Sequence, residues 1–160
     1  FVWGTWTPEP QVLLADRGPK GGAAVPLAPF NTQWQAARPM YGVPGNLPLD
    51  RFVHKELNQT ALGRFQTQLH FSGTGSISIE GRWELRDPNG VLVDQVQEHA
   101  DRDSYLIHRL IDLPVAAFEI DAPRSFTLVL DPAYRLTVFD DTPQYESFSI
   151  HLDGQPTMYV

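Results

Sequence analysis

The run Glu98-His99-Ala100-Asp101-Arg102-Asp103 holds the densest chemistry in this 160-residue chain. It sets an imidazole and three carboxylates within six residues. Asp101 and Asp103 alternate, so an irregular loop there would aim both at a hard cation that takes oxygen ligands. They are the candidate metal ligands, and Ca²⁺ is the candidate cofactor. A second acidic group gathers at Asp140, Asp141 and Glu146. Neither group fits the EF-hand loop, which needs glycine at its sixth position and glutamate at its twelfth. The ordinary reading of both is a solvated acidic loop.

Other chemistry finds little purchase. His54, His70, His99, His108 and His151 form no close ligand spacing. His70 and His151 fall out of phase with the apolar positions of their strands, so both are expected to point outward. Gly73-Thr74-Gly75-Ser76 lacks the Lys-Ser/Thr pair of a phosphate loop and leads into a strand, with no helix N-terminus to meet an anion. There is no Gly-x-Ser-x-Gly elbow. Glu80 and Glu84 share one strand face, where solvation explains them. The chain has no cysteine, which removes disulfides, thiolate metal sites and thiol nucleophiles. The expectation is a protein that is not an enzyme.

The elements that must position these groups read as strands. From Ile77 to Arg86 the odd positions are apolar or small and the even ones polar, the period of a sheet with one wet face. Further strands are expected at Arg51–Leu57, Gly63–Phe71, Val91–Gln97, Ser104–Ile111, Val115–Ile120, Arg124–Leu130, Tyr134–Phe139, Glu146–Leu152 and Thr157–Val160. Leu106–Ile111 also fits a helical turn. Gly- and Pro-bearing turns separate them. About eight such strands predict an all-β fold, an antiparallel β-sandwich of immunoglobulin-like or jelly-roll type. Its expected core is Phe65, Leu69, Ile77, Ile79, Trp83, Leu85, Val93, Phe126, Leu128, Leu130, Leu136, Val138, Phe148 and Ile150.

Within it, Asp87-Pro88-Asn89-Gly90 suits a type I turn closed by a G1 bulge, with Asp87 bonding the turn backbone and Gly90 left-handed. The register that follows sets Asp87 opposite Val91, Leu85 opposite Val93 and Glu84 opposite Asp94, leaving Leu92 and Val96 on the outer face. A strand ending in Asp-Pro-x-Gly before an apolar strand is common in immunoglobulin-like and related sandwiches; the likeness is one of fold.

Residues 1–50 differ from 51–160. They hold eight of the fourteen prolines, half the glycines and three of the four tryptophans. Proline at that density forbids long helices and central strands, so 1–50 is expected to be an extended Pro/Gly-rich arm, with short strands at most at Val2–Trp6 and Gln11–Ala15. The arm is formally neutral, so the net charge of −7 lies in 51–160. Phe1, Trp3, Trp6, Phe30, Trp34 and Tyr41 are its candidate anchors, since rings bury large areas. They would pack on the chain's own sandwich or on another subunit.

An acidic chain lacks the basic surface that duplex nucleic acid requires, and no apolar run reaches the length of a membrane span. The chain opens on Phe1, and a processed, exported product is expected. Arginine outnumbers lysine ten to two, which points to a GC-rich, bacterial genome. The function expected is that of a non-catalytic accessory or structural subunit, periplasmic or secreted, docking through the aromatic arm onto a larger protein assembly. A carbohydrate-binding module is the alternative, with Trp34, Tyr41, Tyr134 or Tyr145 as a sugar platform.

One consequence is measurable. If Trp83 points inward as the alternation demands, Trp83→Ala lowers unfolding stability by about 3–5 kcal/mol. An unchanged urea midpoint would contradict the assigned phase.

Overall fold

A computed structural model describes residues 42–141 and 145–160. Residues 1–41 of the expected arm, with Phe1, Trp3, Trp6, Phe30, Trp34 and Tyr41, lie outside the described residues. The described chain is all-β, with ten strands: β1 (Leu57–Leu62), β2 (Thr67–Phe71), β3 (Gly75–Ile79), β4 (Trp83–Arg86), β5 (Leu92–Val96), β6 (Val115–Asp121), β7 (Ser125–Leu130), β8 (Tyr134–Phe139), β9 (Phe148–Leu152) and β10 (Met158–Tyr159). Three short 3₁₀ turns accompany them, at Leu49–Phe52, His99–Asp101 and Leu106–Leu110.

The strands form two antiparallel five-stranded sheets, ordered β1-β2-β3-β9-β10 and β5-β4-β8-β7-β6. Alternation gives each sheet one apolar face, and the two faces share one core, as in a sandwich. Leu69, Ile77, Ile79, Phe148 and Ile150 come from the first sheet; Trp83, Leu85, Phe126, Leu128, Leu136 and Val138 come from the second. Phe126 meets Phe148 edge-on with centroids 4.8 Å apart, joining the layers. The core also takes Val43, Leu47, Leu49 and Phe52, so residues from before β1 are part of it. The 3₁₀ turn Leu106–Leu110 touches both β1 and β5, edge strands of the two sheets, and buries Ile107 and Leu110.

Several expectations are corrected. Ile77–Arg86 is two strands in different sheets. The break falls at Gly81, where the backbone N–H groups of Glu80 and Gly81 both donate to the Ser147 carbonyl, at 2.9 and 2.8 Å. The alternation survives the break because both sheets turn the same parity toward one core. Arg51–Leu57 is no strand: a 3₁₀ turn ends at Phe52, and β1 starts at Leu57 and runs on to Leu62. Ser104–Ile111 is likewise no strand, and its helical-turn reading holds as the 3₁₀ turn Leu106–Leu110.

The β4–β5 hairpin closes as its turn residues dictate. Asn89 N–H and Val91 N–H donate to Asp87 Oδ1 at 2.8 and 2.9 Å, and Gly90 has φ +79°. The register beyond it is displaced by one. A bulge between Leu85 and Arg86 sets Leu85 opposite Asp94 and Glu84 opposite Gln95. Val93 is therefore half-buried, while Asp94 and Val96 face inward at 3% and 1% exposure. Buried Asp94 is satisfied, accepting Ile107 N–H at 2.8 Å and Gln95 N–H at 2.9 Å. Phe65 leaves the expected core altogether at 63% exposure. It occupies the β1–β2 turn, closed by Gly63 N–H to the Gln66 carbonyl, and a side chain at such a tip has no layer to enter.

Gly75 opens β3 at φ +146°, and a Cβ there would fall on the carbonyl oxygen of His151 in β9. Gly73, at φ +62°, has open space around it. Gly75→Ala should therefore cost about 3 kcal/mol through forced displacement of a paired strand, and Gly73→Ala only about 1–2 kcal/mol of left-handed strain. Urea denaturation of the two variants compares them directly; equal losses would mean that β3 and β9 do not approach so closely.

Candidate functional site

The two places where the chain changes sheets, Glu80–Arg82 and Asp140–Ser147, lie side by side, because Ser147 accepts the Gly81 and Glu80 N–H groups. Gly81 has little room there: a Cβ would stand 3.0 Å from that of Ser147. Asp140 ties the joint further, accepting Ser147 Oγ–H at 2.7 Å and Gly42 N–H at 2.6 Å. The acidic group expected at Asp140, Asp141 and Glu146 is thus split by use. Asp140 is a structural acceptor. Asp141 pairs with Arg82 Nε at 2.7 Å. Glu146 stays exposed.

Above the joint sits the 3₁₀ turn His99–Asp101. His99 is only 8% exposed. Its Nε2 lies 3.2 Å from the Gly81 carbonyl and its Nδ1 lies 3.1 Å from Arg102 Nη2, which also donates to the Gly63 carbonyl at 2.8 Å. With the proton on Nε2, the ring donates to Gly81 and accepts from Arg102. Both nitrogens are engaged, so His99 acts as a strut between the sheet joint and the β1–β2 turn.

Around this strut the surface is hollowed. One cleft of about 500 Å³ is lined by Phe65, Glu80, Gly81, Arg82, Gln97, Glu98, His99, Ala100, Asp141, Tyr145 and Glu146. A depression of about 280 Å³ shares His99 and Ala100 with it and is lined also by Leu62, Gly63, Arg64, Arg102 and Tyr105. A third, of about 310 Å³, runs along β5 from Gln95 to Glu98 with Arg102 and Asp103. Leu62, Phe65, Tyr105 and Tyr145, exposed by 40, 63, 56 and 76%, rim this region. They are four of the seven large hydrophobic side chains exposed among the described residues. Arg64 lies over the Phe65 ring at 5.1 Å and Arg102 over Tyr105 at 5.6 Å, attracted by the ring faces.

The sequence-predicted residues fare unevenly. Asp103 is exposed and lines the β5 depression, while the Asp101 side chain lies outside the described residues. Among the described residues no group of three histidine or acidic side chains converges as a metal site. Of the described sugar-platform candidates, Tyr145 stands in the cleft, and Tyr134 is half-buried against the core. His70 and His151 lie on the face of the first sheet away from the core. Glu80 and Glu84 part company: Glu80 faces the cleft, and Glu84 pairs with Arg82 and Arg86 at 3.2 and 3.0 Å on β4. Sequence reasoning missed Phe65, Arg64, Arg102 and Tyr105 as surface residues. The usable signal was the four-residue turn Gly63-Arg64-Phe65-Gln66, whose tip must display a ring.

The fold and this region define an all-β protein of two five-stranded antiparallel sheets carrying an aromatic-rimmed cleft where its sheet-changing connections meet. Compared with known proteins, the chain matches no protein-family model, no curated sequence and no solved structure.

The strut carries a pH dependence. Burial disfavours the imidazolium of His99, the Gly81 carbonyl works the other way, and the Arg102 guanidinium again disfavours the charge; the balance holds the pKa below the ordinary 6.5. The unfolded chain therefore takes up this proton at a higher pH than the folded chain does. The contribution of His99 to stability is whole above about pH 6.5 and declines as pH falls through the lowered folded value. His99→Gln, which keeps a donor for Gly81 and cannot titrate, should flatten the fall in unfolding free energy between about pH 7 and 5. An unaltered slope in that interval would show that the loss arises elsewhere.

Proposed function

We propose that the chain is a non-catalytic accessory module that works by docking onto a larger, extracytoplasmic protein assembly. The cleft face around His99 is its contact surface. The observation that carries this reading is the clustering of Leu62, Phe65, Tyr105 and Tyr145 on one face while the core of the same molecule is closed. Exposed rings interleaved with arginines have the composition of interface centres. The finer fold we propose is an immunoglobulin-like sandwich, supported by the Asp87–Gly90 hairpin and by the tendency of consecutive strands to stay within one sheet. In the same proposal Phe1, Trp3, Trp6, Phe30, Trp34 and Tyr41 extend the contact.

A second reading is a carbohydrate-binding module. It is favoured by the placing of Phe65 and Tyr145 in one cleft with Gln97, Glu98 and Glu146, rings beside hydrogen-bonding groups. Titration heat from a neutral oligosaccharide, abolished by Tyr145→Ala, would move the assignment to it.

The docking reading is tested by photo-crosslinking in the native host. Benzoylphenylalanine placed at Phe65 or at Tyr145 should give discrete protein adducts. The same group at Asn89, on the exposed β4–β5 turn away from the cleft, should give none. Equal labelling from all three positions, or none from any, removes the cleft face as a docking surface.

A further inference from the structure

We propose that the outer face of the first sheet carries a transition-metal site, where His70 and His151 chelate one divalent ion of the copper, nickel or zinc class. The site stands apart from the docking reading, and neither histidine lines the cleft. Register brings the two imidazoles together. His70 of β2 lies opposite Ser76 of β3, and Ser76 lies opposite His151 of β9. Burial alternates along all three strands, with Leu69, Ile77 and Ile150 inward. His70, Ser76 and His151 therefore share the outer face. Two strand spacings of about 4.8 Å set the histidines roughly 10 Å apart. Each ring has to lean across only half that gap, over Ser76, for both to hold one ion at about 2.0–2.1 Å. Serine is small, so the space between the rings is not filled by its side chain.

The pair and its surroundings select the ligand. Neutral imidazole is a ligand suited to zinc, copper and nickel. His151 Nδ1 lies 3.2 Å from Thr157 Oγ1. With its proton on Nδ1 and donated to Thr157, the ring keeps the Nε2 lone pair for a metal, and outer bonds of this kind orient metal-binding imidazoles. His70 makes no hydrogen bond among the described residues. His70 is half-buried and His151 exposed, so an ion can reach both. His99, by contrast, has both nitrogens engaged. The face around the pair carries no charge. Gln59 and Thr157 flank the row, and Ala61, Gln68, Ser78, Ser149 and Tyr159 stand in or beside the next. The chain has twelve lysines and arginines, and none stands in these two rows to repel a dication. No carboxylate stands there either, so calcium and magnesium lack the oxygen ligands they require. With two protein ligands the site is open, its other positions left to water.

Isothermal titration of the full, tag-free chain with Cu²⁺, Ni²⁺ and Zn²⁺ tests this. One ion should bind per chain, Cu²⁺ most tightly. His70→Gln and His151→Gln should each weaken binding by about tenfold or more, since outer partners alone are worth about 10–100-fold. The double variant should bind no more weakly than either single one, because one arm without the other does not chelate. Ser76→Leu, which fills the gap between the rings, should cause a similar loss with both histidines in place. His108→Gln, an exposed position outside this face, should bind as wild type. A urea midpoint shared with wild type separates loss of the site from loss of the fold. Pulsed electron paramagnetic resonance of the wild-type Cu²⁺ form needs no variant to fold, and it should count two imidazole nitrogens. Absence of binding overturns the proposal. So does full binding by His70→Gln, His151→Gln or Ser76→Leu, an equal loss in His108→Gln, or a single imidazole in the wild-type spectrum.

Discussion

The backbone of Gly81 carries the architecture. Its N–H is spent on Ser147, beside which the chain returns to the first sheet, and its C=O is held by His99, which braces the loop crossing between β5 and β6. One residue without a side chain thus joins both sheet changes to the loop that shapes the cleft. A Cβ there would crowd the Ser147 Cβ at 3.0 Å. Asp140 extends the same knot by holding Ser147 and Gly42 together. Buried backbone groups must find partners, and where strands end their ladders end too. The knot answers that demand with side chains and carbonyls in place of a ladder.

A similar economy governs the edge of the second sheet. Among the described residues β5 pairs with β4 alone, and an unguarded edge invites uncontrolled pairing. Asp94 points inward at that edge and takes two backbone N–H groups, one from its neighbour and one from the 3₁₀ turn that fills the gap between β1 and β5. A buried charge is tolerable when fully hydrogen-bonded. Here it both blunts an edge and pins Ile107 into the core. Trp83, by contrast, offers its indole N–H to no partner among the described residues. It stands at the centre for its volume.

What the sequence made legible follows from what period and turn chemistry can encode. Ile77, Ile79, Trp83 and Leu85 alternate, and all four are buried. Asp87 and Gly90 announce their turn, and the turn forms. Tyr134–Phe139 carries its bounds unchanged into β8. Period two, however, does not distinguish one strand from two strands that face a common core, so the break at Gly81 was hidden. A single bulge between Leu85 and Arg86 reverses the facing of all that follows, and Asp94 was placed in water for that reason. Phe65 was assigned by residue type, yet its position at a turn tip decided its exposure. The cleft was illegible because its parts come from five separated segments, and no spacing along the chain records their meeting.

The struts bear on how such a face can work. Arg64 and Arg102 are long, mobile side chains, and fixing them against a partner costs conformational entropy. Arg102 is restricted beforehand by its bonds to Gly63 and His99 and by its place over the Tyr105 ring, while Arg64 lies over the exposed Phe65 ring. Glu98 and Glu146 have no such brace: both are exposed and make no ion pair among the described residues. The region therefore sets one braced cation, Arg102, beside exposed carboxylates. Protonation of His99 would disturb Arg102, because its Nδ1 then becomes a donor facing the Arg102 guanidinium. The brace and the placing of Arg102 are thereby coupled through one imidazole.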